Sequence, residues 1–256
     1  MNMDIGYRKV VLLTFLLTFS FVIQAEVVKL ATGEWAPYQS QSLKNGGFIT
    51  QVVVEAFSEQ GYQVKLLYMP WKRAMKEAKA GRVDGTFLWG TNEERAEHFY
   101  YTDKVLTLTN VLFQKRSNPI HWSKIEDLAQ YRIGGVDGYS YGIERWEELG
   151  FIKLQRVHKP ELNYRKLQQG RLDLVVEDTY VGKSILEELN LASQISINEK
   201  PINQRSYYVL IPKGGAKATQ LVEAFNRGLG KIRSDGRFKK YFGASNRGEY
   251  VLAPQK

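Results

Sequence analysis

The chain contains no cysteine among its 256 residues. It therefore cannot form a disulfide framework, and it offers no cysteine for attachment of a lipid anchor. Its three histidines, His98, His121 and His158, lack the short spacing that zinc sites use. The glycine patterns of phosphate-binding and dinucleotide-binding loops are also missing. We therefore expect neither a metal nor a cofactor.

Blocks of like charge are also absent, although the formal net charge is +9. The lysines and arginines are spread along predicted helices together with acidic residues, as in the segment 71–82 (WKRAMKEAKAGR). A nucleic-acid site would need basic residues concentrated on one face or in one run. We therefore interpret the positive charge as a solvated surface and expect no nucleic-acid partner.

The longest apolar run is the segment 10–23 (VVLLTFLLTFSFVI), which follows Arg8 and Lys9. It is shorter than the roughly 20 residues that a transmembrane helix needs. A basic start, a short apolar run and a small residue, Ala25, are typical of a signal peptide that is cleaved after export. The alternative is an uncleaved anchor, and Ile23 is not the small residue that cleavage favours. We expect cleavage after Ala25 and a periplasmic mature protein.

Beyond this segment, short β-type runs alternate with helical runs, and the order β-α-β-α-β occurs twice. Alternation of this kind predicts parallel sheets flanked by helices, the α/β class. In the first half we predict strands at 26–32, 62–69 and 83–89 and helices at 46–61 and 70–81. In the second half we predict strands at 131–136, 151–157 and 172–178 and helices at 141–150, 161–170 and 179–189.

Two extended segments separate these halves, an unbroken one at 100–115 and another at 205–213. Two crossovers mean that the chain leaves a first lobe, builds a second and returns. The predicted organisation is a signal peptide at 1–25, a first lobe at 26–109 plus 208–256, and a second lobe at 110–207. One long terminal helix, at 217–243, is expected to pack on the first lobe.

The segment 138–142 (GYSYG) matches the G-x-S-x-G pattern of hydrolase nucleophile elbows. A hydrolase of that kind needs an acid and then a histidine after its serine. Only His158 follows Ser140, and it precedes both Asp173 and Asp178. The same strand, turn and helix start also offers free N–H groups to an anion. We therefore favour an anion contact over a nucleophile.

Five stretches, in this order, resemble the periplasmic extracellular solute-binding proteins of family 3. They are 35–40 (WAPYQS), 81–105 (GRVDGTFLWGTNEERAEHFYYTDKV), 131–142 (YRIGGVDGYSYG), 170–178 (GRLDLVVED) and 232–243 (IRSDGRFKKYFG). The family includes binding proteins for histidine, for glutamine and for lysine, arginine and ornithine. The resemblance implies a two-lobed clamshell of the type II periplasmic-binding-protein class. The segment 70–74 (PWKRA) indicates a divergent branch.

A free amino acid needs a guanidinium for its carboxylate and an acid for its ammonium, since a buried unpaired charge is costly. In the first lobe the resemblance assigns the carboxylate to Arg95, and Thr91 can add a polar contact. Leu88 can offer its carbonyl to the ammonium, and Trp35 occupies the position of a stacking aromatic. The alternative for Arg95 is a surface arginine that is paired with a nearby glutamate.

In the second lobe the resemblance places Ser140, followed by Tyr141, in the turn that meets the carboxylate. It assigns the ammonium to Asp178, which ends a predicted strand where open α/β sheets place ligand groups. The alternative for Asp178 is the N-cap of the helix that follows. Both interpretations can hold together.

Two further tryptophans, Trp71 and Trp89, depart from this pattern. Tryptophans are more often core residues than ligand contacts, but either ring can also narrow the pocket or face a cation. The family usually has a small residue where Trp89 stands, so its ordinary amino-acid ligands come into question. Arg73 can reach the cleft or lie on a solvated helix face.

The sequence predicts a monomeric binding protein, not an enzyme. It would enclose an amino-acid-like or carboxylate solute and pass it to an inner-membrane ABC permease in a transient contact. One alternative is a cleft enzyme similar to cyclohexadienyl dehydratases, with Glu177 or Asp178 as the acid or base. A second alternative is a ligand-sensing partner of a membrane receptor kinase.

Overall fold

The computed structural model describes residues 25–252. The predicted signal peptide lies outside the described residues, apart from Ala25. Among the described helices, none has the length and apolar content required to cross a membrane.

Ten strands of the described chain form one sheet. They are β1 Glu26–Thr32, β2 Tyr62–Tyr68, β3 Gly85–Gly90, β4 Phe99–Tyr101, β5 Leu106–Lys115, β6 Ile133–Val136, β7 Leu154–Val157, β8 Leu174–Asp178, β9 Ile195–Ile197 and β10 Asn203–Pro212. The α-helices are α1 Phe48–Ser58, α2 Trp71–Lys79, α3 Glu93–His98, α4 Glu144–Glu148, α5 Pro160–Gln168, α6 Thr179–Glu188, α7 Ala218–Ser234 and α8 Arg237–Asn246.

The main strand order is β2-β1-β3-β10-β5-β8-β6-β7, with β4 beside β10 and β9 beside β5. Strand β1 pairs in parallel with β2 and β3, and β6 pairs in parallel with β7 and β8. Strands β5 and β10 pair with each other in antiparallel fashion. Strand β10 is also antiparallel to β3, as β5 is to β8. Two parallel units are thus joined through one antiparallel pair, which confirms the predicted α/β class.

Helix α1 shows how the sequence pattern determines packing in the first half. Its predicted apolar face is buried, including Val53, Ala56 and Phe57. Helix α7 crosses this face with its own buried residues, among them Phe225 and Gly228. Gly228 allows the close approach, because a side chain there would overlap the backbone carbonyl of Ala56.

The extended segment predicted at 100–115 is not unbroken. Strand β4 ends at Tyr101 and β5 begins at Leu106. Between them, the Thr102 N–H donates to the Val209 carbonyl, while the Thr102 hydroxyl accepts from the Val209 N–H at 3.1 Å. These bonds bend the chain beside β10. The predicted boundaries at 109/110 and 207/208 fall inside β5 and β10, so the exact division into lobes stays a prediction.

The prediction of a single terminal helix at 217–243 is wrong, because the chain forms two helices there, α7 and α8, with a turn between them. Gly236 lies in the turn with a φ of 82°, a left-handed conformation that interrupts a helix. The Asp235 carboxylate accepts a hydrogen bond from the Arg237 N–H at 3.1 Å and so begins α8. The sequence prediction also omitted α3 and β9, which have 6 and 3 residues.

Gly228→Ala should lower the free energy of unfolding by about 1–3 kcal/mol, because the added methyl group forces α1 and α7 apart. Gly230→Ala, in the same helix, is the matched control, since a methyl group there meets nothing within 4 Å. We expect the control to stabilise the protein by about 0.5–1 kcal/mol through helix propensity. Urea denaturation measures both, and equal effects of the two variants would contradict the packing argument.

Candidate functional site

A narrow pocket with a cavity volume of about 40 Å³ lies where the two parallel units meet, between the carboxyl ends of β3 and β8 and the turn after β6. Most of the residues predicted from the sequence line it. They are Trp35, Trp71, Leu88, Trp89, Arg95, Ser140 and Tyr141. Two predicted residues, Thr91 and Asp178, are not among its lining residues. Arg73 is exposed on α2 and also lies outside the lining.

The walls of the pocket are aromatic and come from both halves of the chain. The rings of Trp71 and Trp89 meet edge to face with centroids 5.0 Å apart. Tyr139, from the turn after β6, approaches the rings of Trp35 at 6.0 Å and Trp71 at 6.4 Å. Gly33 leaves room for the Trp71 indole, which a side chain at that position would overlap. The extra tryptophans therefore belong to the pocket wall and also pack against core residues.

Leu88 has a φ of 61°, which is unusual for a residue with a side chain. The pairing of β3 with β10 shifts at this point, because Tyr208 pairs with Trp89 while Val209 pairs with Phe87. Leu88 is thus the extra residue of a bulge, a device that redirects side chains next to functional sites. The bulge brings both Leu88 and Trp89 to the pocket.

Arg95 lies in the short helix α3, whose N-cap Asn92 accepts a hydrogen bond from the Arg95 N–H at 2.8 Å. Its guanidinium donates to the Gly90 carbonyl at 2.8 Å and lies 4.9 Å from the centroid of the Trp89 ring. Within residues 25–252 it forms no ion pair. Burial lowers the pKa of Arg95, and the charge of Arg205 adds to this effect. The guanidinium therefore keeps donors and charge available for an anion.

The turn after β6 already holds a carboxylate, that of Glu144. One oxygen, Oε1, accepts from the Ser140 hydroxyl at 2.9 Å, the Tyr141 N–H at 2.7 Å and the Gly142 N–H at 3.0 Å. Burial alone would raise the pKa of Glu144, but these hydrogen bonds and the charge of Arg205 hold it below its ordinary value. Sequence reasoning missed this residue. The available signal was an acidic residue in the first turn of the helix predicted at 141–150, where a carboxylate can accept from free backbone N–H groups.

Arg205, on β10, is a second guanidinium that sequence reasoning missed. Its Nη1 donates to the Ser140 carbonyl at 2.5 Å and to the Ser140 hydroxyl at 3.0 Å. It also lies against Gly90, where a Cβ would stand 2.6 Å from its Nη2. Among the described residues Arg205 has no carboxylate within ion-pair distance. Two guanidinium groups, Arg95 and Arg205, therefore share the neighbourhood of one carboxylate, Glu144.

Glu177 is the acid that the structure places in the pocket wall. It is 1% exposed, and its Oε1 accepts a hydrogen bond from the Asp178 N–H at 2.9 Å. Burial raises the pKa of Glu177 to about 8, and the nearby charges of Asp178 and Glu161 act in the same direction. Tyrosines also surround it. The charge of Glu177 acts on Tyr139, Tyr141, Tyr164 and Tyr207.

Asp178 is fully buried at the end of the same strand. Its Oδ1 accepts from the Tyr38 hydroxyl at 2.5 Å, from the Tyr180 N–H at 2.9 Å and from the Val181 N–H at 3.2 Å. It therefore caps α6 and contacts the other half of the chain through Tyr38. Burial raises its pKa, although these hydrogen bonds oppose the shift. An ammonium contact at Asp178 stays a prediction.

The fold and the pocket between its halves define the class of two-lobed solute-binding domains. The chain belongs to the bacterial extracellular solute-binding proteins, family 3, whose pattern matches residues 28–244. A curated relative is the lysine/arginine/ornithine-binding periplasmic protein of Escherichia coli strain K12. It is 22% identical over 239 residues, which cover 87% of this chain and 90% of the relative.

Solved structures share the fold. A histidine kinase sensor domain with similarity to periplasmic binding proteins has a TM-score of 0.74 at 22% identity, covering 90% of this chain and 99% of its own. The amino acid ABC transporter substrate-binding protein AbpA of Streptococcus pneumoniae, bound to L-arginine, has a TM-score of 0.71 at 20% identity. The match covers 89% of this chain and 97% of AbpA. The GluR0 ligand-binding core of Nostoc punctiforme, in complex with L-glutamate, has a TM-score of 0.71 at 18% identity. The match covers 84% of this chain and 97% of the GluR0 core.

Glu177→Gln should change how stability depends on pH. Because burial raises the pKa of Glu177 to about 8, the folded protein holds a proton that the unfolded chain releases above about pH 4.5. The stabilisation is complete at low pH and is lost as the pH rises towards 8. We expect similar melting temperatures at pH 5 and a value higher by at least about 5 °C for Glu177→Gln at pH 8.

Differential scanning calorimetry between pH 5 and pH 9 measures this difference. Glu97→Gln, which removes an exposed carboxylate from α3, is the matched control and should follow the wild type. Parallel curves for the wild type and Glu177→Gln would show that Glu177 is ionised in the folded protein throughout this range.

Proposed function

We propose that this chain captures a small solute with a carboxylate at one end and a cationic or hydrogen-bonding group at the other. The carboxylate of the solute binds Arg95, and the group at its opposite end contacts Glu177. The single observation that carries this proposal is the charge of the pocket. Arg95 lines the pocket without an ion pair among the described residues, and beside it Arg205 and Glu144 bond to the same Ser140 hydroxyl, so that end has one more positive charge than negative.

Glu177 supplies the chemistry of the other end. A cation beside a buried carboxylate favours its ionised form, whereas a neutral acceptor can take a hydrogen bond from the protonated acid. Asp178, the acid first predicted for this role, has one oxygen bonded to three donors. Its other oxygen has no partner among the described residues and does not face the lining of this pocket. Glu177 is therefore the preferred partner.

The aromatic walls suit a small organic solute with an apolar middle. Trp35 is 7% exposed, and its indole N–H has no acceptor among the described residues. A buried donor without an acceptor costs about 1–3 kcal/mol. A solute oxygen at that position would remove this cost, which favours a polar group on the solute near Trp35.

Delivery to an inner-membrane ABC permease is the second part of the proposal. The family, the relatives it contains and the predicted signal peptide support a periplasmic transport role. Contacts between the halves support a closed form that a permease could recognise. The Tyr139 hydroxyl donates to the Glu34 carbonyl at 3.4 Å, and Tyr38 bonds to Asp178 across the same junction. A solute that stabilises this form shifts the equilibrium towards it.

One observation favours a second candidate, a cleft enzyme. A carboxyl whose pKa lies near neutrality, as burial sets it for Glu177, can donate or accept a proton. A dehydratase acting on prephenate or arogenate would use such a group. Incubation of the purified protein with either compound, followed by detection of the aromatic product, distinguishes the two functions. Turnover that is lost in Glu177→Gln would replace the transport proposal.

Arg95→Ala should weaken binding of the solute by at least about 30-fold, which corresponds to roughly 2 kcal/mol for a lost charged hydrogen bond. A thermal-shift screen of the wild type with amino acids and related carboxylates identifies the solute, since a ligand bound by the native state raises the melting temperature. Titration calorimetry of the variant with that solute then gives the loss.

Arg73→Ala is the matched control, because it removes an exposed arginine outside the pocket. We expect it to bind as the wild type does. Equal affinities of Arg95→Ala and the wild type would contradict the carboxylate assignment. The absence of any shift across the screen would contradict the proposed solute class.

A further inference from the structure

Ser140 and Tyr141 of the turn after β6 line the pocket, and Glu144, which does not line it, occupies the anion-binding donors of this turn. The Oε1 of Glu144 takes the Ser140 hydroxyl and the N–H groups of Tyr141 and Gly142. The Ser140 hydroxyl in turn accepts from Arg205 at 3.0 Å, so serine connects a guanidinium to the carboxylate. These donors are therefore already used by the protein itself.

Neighbouring bonds fix this arrangement. The Tyr141 carbonyl accepts from the side-chain amides of Asn110 at 3.0 Å and Asn203 at 2.8 Å, and these come from the two strands that join the halves. The turn is thus anchored by these two amides as well as by Glu144. A solute carboxylate could reach the donors only by displacing Glu144, and it would then meet a negative charge close by.

We propose that Glu144 is a specificity-determining residue, whose carboxylate limits the pocket to solutes with one carboxylate by excluding a second one from the Ser140 turn. This inference rests on the proposed function, since it takes Arg95 as the position of the first carboxylate. Arg95 and Arg205 both lie at Gly90, since Arg95 donates to the Gly90 carbonyl at 2.8 Å and a Cβ at Gly90 would stand 2.6 Å from Nη2 of Arg205, which in turn bonds to the Ser140 hydroxyl beside Glu144. One added carboxylate balances the two guanidinium groups, and another would leave an excess of negative charge.

The exclusion has an electrostatic cause with a measurable size. Two unit charges 4 Å apart interact by about 4 kcal/mol at the effective dielectric constant of a protein surface. Even a fraction of this repulsion exceeds the 1.4 kcal/mol that corresponds to a tenfold change in affinity. Neutralising Glu144 should therefore clearly increase the affinity of the pocket for dianions.

The test uses two probes of equal carbon number, succinate with two carboxylates and butyrate with one. Glu144→Gln removes the charge but keeps an oxygen for the N–H groups of the turn, so the fold is preserved. Glu144→Ala removes both. Relative to the wild type, we expect succinate to bind at least tenfold more tightly to each variant, with a smaller change for butyrate. Titration calorimetry at low ionic strength measures both probes.

Glu148→Gln is the matched control, because it removes an exposed charge from the same helix, whereas Glu144 is the residue that bonds to the Ser140 turn. It should leave the affinity for both probes unchanged. A residue that only caps α4 would lower the melting temperature when replaced without changing the preference for succinate over butyrate. That result in Glu144→Gln would overturn the inference, even if Glu144→Ala failed to fold.

Failure of the proposed function would look different. If Arg95→Ala does not weaken solute or succinate binding, the carboxylate position is wrong, whatever Glu144 does. If succinate affinity is lost in Arg95→Ala but is equal in the wild type and Glu144→Gln, the proposed function stands and the role of Glu144 is refuted.

Discussion

The antiparallel pairing of β5 with β10 is the constraint on which the site depends. Asn110 pairs with Asn203, and Tyr207 pairs with Leu106 at the other end of the ladder. This pairing is the only strand-to-strand link between the two parallel units along the main path of the described sheet. The same two strands carry Asn110, Asn203 and Arg205 to the turn after β6. The strand pair that joins the two parallel units therefore also holds the turn beside the pocket.

The site combines several features that lower stability. Glu177 is a buried acid without a basic partner among the described residues, and Leu88 has a left-handed backbone. Arg95 is a partly buried guanidinium whose hydrogen bond goes to a carbonyl, not a carboxylate. Such features are rare in protein cores. They persist where contacts from the surrounding structure hold them in place. Their concentration in one pocket is what a preorganised binding site requires, because a matching solute satisfies several of them together.

Much of the fold was predictable because it depends on local patterns. Strand β1 has the predicted bounds Glu26–Thr32, and α1 buries the predicted face. The errors have physical causes. The long terminal helix was divided by Gly236, which has a left-handed φ, and the extended run was bent at Thr102 by bonds to a distant strand. Periodicity along the sequence carries no information about a bond to a partner 107 residues away.

The site was predictable in part, for a related reason. The motifs located the turn at Ser140 and the strand end at Asp178. Both Glu177 and Asp178 are buried. A strand with apolar neighbours on both faces gives no sequence signal for which of its two faces meets the pocket. Adjacent residues of a strand point to opposite faces, so a shift of one position changes which acid lines the pocket. Arg205 lacked a local signal, since long-range pairing alone brings β10 beside the turn.

Two of the acids in the second half already accept hydrogen bonds from backbone N–H groups, Asp178 at the start of α6 and Glu144 in the turn before α4. Each accepts at least two such bonds, and a carboxylate satisfied in this way attracts a solute cation less strongly. Glu177 is therefore the one acid among the described residues lining the pocket, and its charge state sets the polarity of that end. Since burial favours its protonated form near neutral pH, a cationic solute must displace a proton there. In the proposed function, the two internal carboxyl groups therefore have different roles, one as an anion at Glu144 and one as an acid at Glu177.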